Sequence, residues 1–130
     1  MTDGATLRFS RIVRTEEGDS RFVDAELALT GRTLAAGVPA MAVAGMSAAA
    51  TVTYLRSAQF DSEPHPAPAR QWVVMLRGVI EVTTSDGAQR RFGPGDLVHV
   101  EDTDGRGHIT TGIGEAPFEA LFVPTTGSRS

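Results

Sequence analysis

The chain has no cysteine, which excludes a disulfide framework, a thiolate metal site and a cysteine nucleophile. It also lacks an excess of basic residues. Twelve Lys and Arg against sixteen Asp and Glu leave a formal net charge of −4. No positive field draws phosphate backbones, so nucleic-acid binding is not expected. There is no long hydrophobic run. The most apolar stretch, 34–50, is mostly alanine and is broken by Gly37, Pro39 and Gly45, which rules out a transmembrane helix. Residues 1–6 carry neither the basic start nor the apolar core of a secretory leader. A soluble, cytoplasmic protein without a membrane partner is therefore expected. Helical periods of useful length, internal repeats and linkers are missing as well.

What remains is a chain of 130 residues with 41% hydrophobic and 22% charged residues, the size and composition of one ordinary globular domain. The spacing predicts that domain over 1–124 and a frayed polar tail over 125–130. Leu7 to Arg14 alternates loosely and ends at the polar stretch 15–20, which reads as a strand and a turn. Arg21 to Leu29 has apolar residues at 23, 25, 27 and 29, a period of two. Its Ala, Glu and Leu would also suit a short helix, but no helical stripe appears and a strand is favoured. Residues 33–47 are expected to form a loop with one short strand near Met41–Ala44. Ala49 to Phe60 reads as a strand. Val52, Tyr54, Ala58 and Phe60 share one face, and Thr51, Thr53, Leu55, Ser57 and Gln59 share the other. The polar face either lines a wet pocket or meets solvent.

The clearest signals lie between 71 and 100. Gln71–Gly78 and Val79–Thr84 are β-rich, and Asp86-Gly87 after them marks a hairpin turn. Gly93-Pro94-Gly95-Asp96 punctuates the chain before a strand at Leu97–Val100. An acidic, Gly-rich loop over 101–107 ends at His108, and two further strands are expected at 109–113 and 117–124. Many short strands between Gly, Pro and Asp turns imply an all-β sandwich or barrel. Ahead of them, Pro64, Pro66 and Pro68 hold 61–70 extended and remove backbone donors, with His65 clamped between two of the rings. The loop's Asp102 and Asp104 alternate as in a calcium loop, but the later acidic ligand and the helical flanks are absent.

From about Phe60 to Val123 this order of strands and turns resembles the cupin superfamily. His65 stands at the first histidine of the family's first motif, and Gln71 at its glutamate, with the family's spacing to Gly78. The second histidine would fall at Ala67. Pro94-Gly95-Asp96 matches the start of the second motif. His108 matches that motif's histidine but comes slightly late, and Glu101 replaces a proline. The resemblance implies an all-β, single-domain jelly-roll barrel of the cupin type. It also implies a site in which three histidines and a glutamate hold one divalent metal.

Here the corresponding set is His65, Gln71 and His108, two imidazoles and a neutral amide. His99 would add an imidazole, and Glu101 or Asp102 a carboxylate, if they face the interior. Two outcomes stay open: one divalent ion (Fe, Mn, Ni, Co or Zn) held by His65, Gln71 and His108, or no cofactor. Without metal, the same residues become convergent polar groups in an apolar cavity lined by Tyr54, Trp72, Val73, Met75 and His99. His65 and His108 would then act as acid and base, with Gln71 orienting substrate.

The expected function is the binding of a small organic molecule, with isomerase, cyclase, lyase or oxygenase chemistry. The alternative is a metabolite-binding cupin without metal or turnover. Arg70, Arg77 and Arg106 near the expected mouth lean toward an anionic ligand. The two N-terminal strands are available to extend a sheet across a homodimer.

Overall fold

The computed structural model describes residues 6–33, 35–37, 39–46, 51–57, 63–114 and 117–125. Among these there is no helix. Eleven strands run β1 (Thr6–Arg14), β2 (Ser20–Ala28), β3 (Thr30–Arg32), β4 (Met41–Val43), β5 (Thr53–Ser57), β6 (Gln71–Arg77), β7 (Val79–Thr84), β8 (Gln89–Phe92), β9 (Leu97–Val100), β10 (His108–Ile113) and β11 (Phe118–Pro124). The all-β expectation holds, and the helical option for 21–29 does not.

Six strands form one sheet in the order β2-β1-β9-β6-β11-β5, and three form a second in the order β10-β7-β8. Strands β3 and β4 make a small ladder of their own. All pairs are antiparallel except β1 with β9, which is parallel. Among the described residues no ladder joins the six-stranded sheet to the three-stranded one, so the sheets face each other without closing into a barrel.

Period-two alternation decides which side chains meet between the sheets. Ile12 of β1, Val73 and Met75 of β6, Ile80 and Val82 of β7, Val98 and Val100 of β9, and Phe118 and Ala120 of β11 form one buried cluster. Two tight connections bring the β6–β9 strands together. Gly87 turns the β7–β8 hairpin at φ 95, and Gly95 turns the chain into β9 at φ 88, backbone states that suit glycine. At Gly78 the demand is spatial as well, because a Cβ would lie 2.6 Å from the Phe118 Cα.

Three details differ from the sequence reading. The short strand β3 lies between the strand expected to end at Leu29 and the loop expected from 33, and falls in neither. It pairs only with the expected β4, through Thr30–Val43 to Arg32–Met41. Strand β5 covers Thr53–Ser57 alone, and the expected continuation to Phe60 falls outside the described residues. Thr125, placed in the tail, donates its backbone N–H to the Arg70 carbonyl at 3.0 Å and so belongs to the fold.

Candidate functional site

The proline-rich segment is tied to the body of the protein by the few donors its sequence leaves. Between Pro64 and Pro68 the only backbone N–H groups belong to His65 and Ala67. Both are used. His65 N donates to the His108 carbonyl at 3.1 Å, and Ala67 N donates to the Asp102 carbonyl at 2.9 Å. His108 N returns a bond to the His65 carbonyl at 3.0 Å. The two histidines are thus paired across an isolated antiparallel bridge, with ring centroids 5.3 Å apart.

This pairing needs Gly107. The residue sits at φ +75, and a Cβ there would run into the His65 backbone. The loop over 101–107 is also fastened to the β1–β2 turn. Arg106 N donates to the Gly18 carbonyl at 2.8 Å, and the buried Ser20 hydroxyl donates to the Gly107 carbonyl at 2.6 Å. The N-terminal hairpin therefore fixes the loop that presents His108.

His65, Gln71 and His108 converge on a cavity of about 420 Å³ between the two sheets. Its wall is mostly apolar, with Ile12, Leu55, Val73, Ile80, Val82, Val98, Val100, Phe118 and Phe122 supplied by six strands. The remaining polar groups are Ser57 and Thr110. A concave apolar wall with a few convergent polar groups is the usual form of a small-ligand site. Leu55 and Ser57 settle the alternative left open for β5: the face shared by Thr53, Leu55 and Ser57 is the one turned to the cavity. A larger hollow of about 590 Å³ lies among Arg8, Asp24, Glu26, Arg90 and Asp96. There Arg90 pairs with Asp24 at 2.7 Å, and Asp96 accepts from Gly93 N at 2.8 Å. The histidines line the smaller cavity and not this one.

Four of the expected wall residues lie elsewhere. Gln71 and Val73 face the cavity, so alternation turns Trp72 to the opposite side of β6. There Trp72 packs edge-on against Phe9 at 4.8 Å and against His99 at 4.6 Å. His99, cross-strand from Trp72, shares that outer face and donates Nδ1–H to Glu101 at 2.6 Å. Tyr54 is 49% exposed and donates its hydroxyl to Glu119 at 2.8 Å. Met75 has the right parity but is buried in the core and is not part of the cavity wall.

Asp102 was not singled out as a partner of His108, and it is the strongest feature of the site. It is 1% exposed, and His108 is 7% exposed. The His108 Nδ1–H donates to Asp102 Oδ2 at 2.7 Å. Such a carboxylate fixes both the tautomer and the ring orientation, and leaves Nε2 as the nitrogen available to a ligand. His65, exposed at the mouth, donates its Nδ1–H to the Glu63 carbonyl at 2.8 Å and is left with the same nitrogen. Gln71 is 5% exposed, and no described residue bonds its side-chain amide. In sequence, Asp102 was marked only as half of a calcium-like pattern and as a candidate carboxylate for the site, not as a partner of His108.

Glu101 points the other way from its neighbour. Burial alone would raise its carboxyl. Hydrogen bonds from Arg11 and His99, and the charge of Arg11, outweigh burial and hold it at about 2 against an ordinary 4.5. Arg11 binds it with both Nε and Nη2, at 2.7 and 2.8 Å. Neither Glu101 nor His99 reaches the cavity wall, so neither completes a metal set there. Asp104, the other half of the calcium-like pattern, pairs with Arg14 at 2.6 Å and is separated in role from Asp102. Among the described residues no group of three or more His, Cys, Asp or Glu is placed to hold an ion. Two imidazoles and a neutral amide do not fit the three-histidine, one-glutamate set that the resemblance implied, because the site supplies no anionic donor.

No protein-family model matches the chain, and no curated protein is significantly similar to it.

Proposed function

We propose that the protein binds a small organic molecule in the cavity between its sheets and moves a proton on it through His108. The observation that carries this is the His108–Asp102 pair, a buried imidazole held by a buried carboxylate on the wall of an apolar cavity. Nε2 would take a proton from a carbon beside a carbonyl. The electron pair left behind would move onto the carbonyl oxygen, which the Gln71 amide is placed to receive as a hydrogen-bond donor. Return of the proton to another atom gives isomerisation or cyclisation. Expulsion of a leaving group gives a lyase. His65 is a second acid or base at the mouth.

A cupin-type jelly roll remains the parent fold proposed. It is supported by the order of strands around Asp86-Gly87 and Pro94-Gly95-Asp96, and by the convergence of His65, Gln71 and His108. Oxygenase chemistry does not suit this site, because two imidazoles and an amide are too weak a donor set for firmly held iron. A metabolite-binding role without turnover is the second reading. The exposure of His65 favours it, since a single enclosed imidazole leaves one acid/base group screened from water.

Deuterium exchange separates the two. Small ketones and hydroxyketones are incubated with the protein in D2O and followed by proton NMR. A proton-transfer site washes the hydrogen beside the carbonyl out of a bound ligand. His108→Ala lowers that rate by roughly 10²–10⁴-fold. Binding without exchange selects the second reading, and absence of both removes the cavity from consideration.

A further inference from the structure

We infer that the cavity selects an uncharged, mainly apolar molecule carrying a hydroxyl or carbonyl at the end that meets His65, Gln71 and His108. This rests on the reading of the cavity as a ligand site and adds the class of ligand.

Among the described residues the wall contains no Asp, Glu, Lys or Arg, and its ionisable groups there are the two histidines. The arginines that the sequence placed near the mouth are held elsewhere. Arg70 lies 3.9 Å from Glu101, Arg77 4.0 Å from Glu119, and Arg106 2.9 Å from Asp19. A carboxylate or phosphate entering the cavity would therefore lose water without gaining a fixed cation. It would also approach Asp102, whose carboxylate lies directly behind the His108 ring. Burying an unpaired charge in an apolar wall is far costlier than burying a hydrogen-bonded neutral group. Nor does the described wall offer a cationic amine an acidic side chain; Asp102 is 1% exposed behind the His108 ring, from which its Oδ2 already accepts.

The polar end is specific in a different way. With Nδ1 of each ring donating to an acceptor, an uncharged imidazole at either position presents Nε2 as an acceptor. The Gln71 amide offers both a donor and an acceptor, and no described residue takes either. A hydroxyl can donate to an imidazole, and a carbonyl can accept from Gln71. The rest of the molecule meets Val73, Ile80, Val82, Val98, Phe118 and Phe122, which reward only apolar surface.

A matched set of probes tests the inference: 3-phenylpropan-1-ol, 4-phenylbutan-2-one, 3-phenylpropanoate and 3-phenylpropylammonium. Each is titrated into the ¹⁵N-labelled protein near neutral pH while the backbone amides of Val73, Ile80, Val82 and Val98 are followed. The alcohol and the ketone are expected to shift these amides, with the two ions binding at least about tenfold more weakly. The same shifts should vanish in Ala67→Leu, which grows a side chain into the cavity from a buried wall position. An ion that binds as tightly as the neutral probes overturns the ligand class and leaves the site standing. Failure of all four to move these amides, or shifts that persist in Ala67→Leu, overturns the site reading and the inference together.

Discussion

Asp102 is a buried carboxylate with one oxygen on His108 and the other, Oδ1, without a partner among the described residues. Leaving a buried acceptor unpaired costs on the order of 1–3 kcal/mol, so the residue sits where orientation of the imidazole outweighs local satisfaction. The expected consequence is a fixed tautomer. Long-range ¹H–¹⁵N spectra near neutral pH should show neutral His108 protonated on Nδ1 and bare on Nε2. Asp102→Asn should keep that tautomer, because an amide oxygen still accepts. Asp102→Ala should lose it and cost about 1–3 kcal/mol in stability. A wild-type His108 protonated on Nε2 would sink the acid/base role.

The adjacent residue gives a pH prediction. The folded Glu101 pKa, about 2, lies below its ordinary 4.5. Its contribution is therefore fully present above about 4.5 and is lost as pH falls through about 2. Denaturation series across that window should show the wild type losing stability more steeply than Glu101→Gln. The difference should be on the order of 2 kcal/mol after allowance for solvent screening. Parallel slopes would show that the Arg11–Glu101–His99 cluster contributes nothing measurable.

At the scale of elements, the junction of the proline segment with β10 decides whether a site exists. Gly107 holds a left-handed conformation and lies against the His65 backbone. Gly107→Ala adds roughly 1–2 kcal/mol of backbone strain and also a steric clash that forces the two segments apart. The variant should melt at lower temperature and lose the His65–His108 bridge, seen as faster hydrogen exchange at the His65 and His108 amides. Unchanged exchange would mean that the bridge is not what organises the cavity.

Much of this scale was legible in the sequence, because strand alternation and Asp-Gly and Pro-Gly turns are local properties. β1, β2 and β6–β11 follow from them. The short β3 was not legible, since three residues with glycine in the middle carry no period and gain their order only from β4. Parity decided the site. Once Gln71 is placed inward, Trp72 must point outward, so alternation contradicted the use of both as wall residues. His99 could not be placed in advance, because a four-residue strand fixes no register by itself. The pairing of His108 with Asp102 depends on the path of the loop between them, and that path is set by the distant β1–β2 turn.

At the scale of the whole molecule, the N-terminal strands do extend a sheet. β1 joins β9 in parallel, and β2 becomes the outermost strand of the six. Nine residues of β2 then present one edge without a ladder partner among the described residues, a long edge for a protein that must avoid uncontrolled association. Leu76 is 39% exposed and Tyr54 49% exposed, which adds apolar area on β6 and β5 of the same sheet. Pairing with a second copy across a two-fold axis would cover such an edge and close the assembly. Sedimentation equilibrium at micromolar concentration is expected to give a homodimer. Val23→Lys, placed mid-strand on β2, is expected to shift it toward monomer. A wild-type monomer would mean that the charged side chains of Arg21, Asp24 and Glu26 already blunt the edge. The N-terminal hairpin would then serve the cavity alone, through its hold on the loop that carries Asp102.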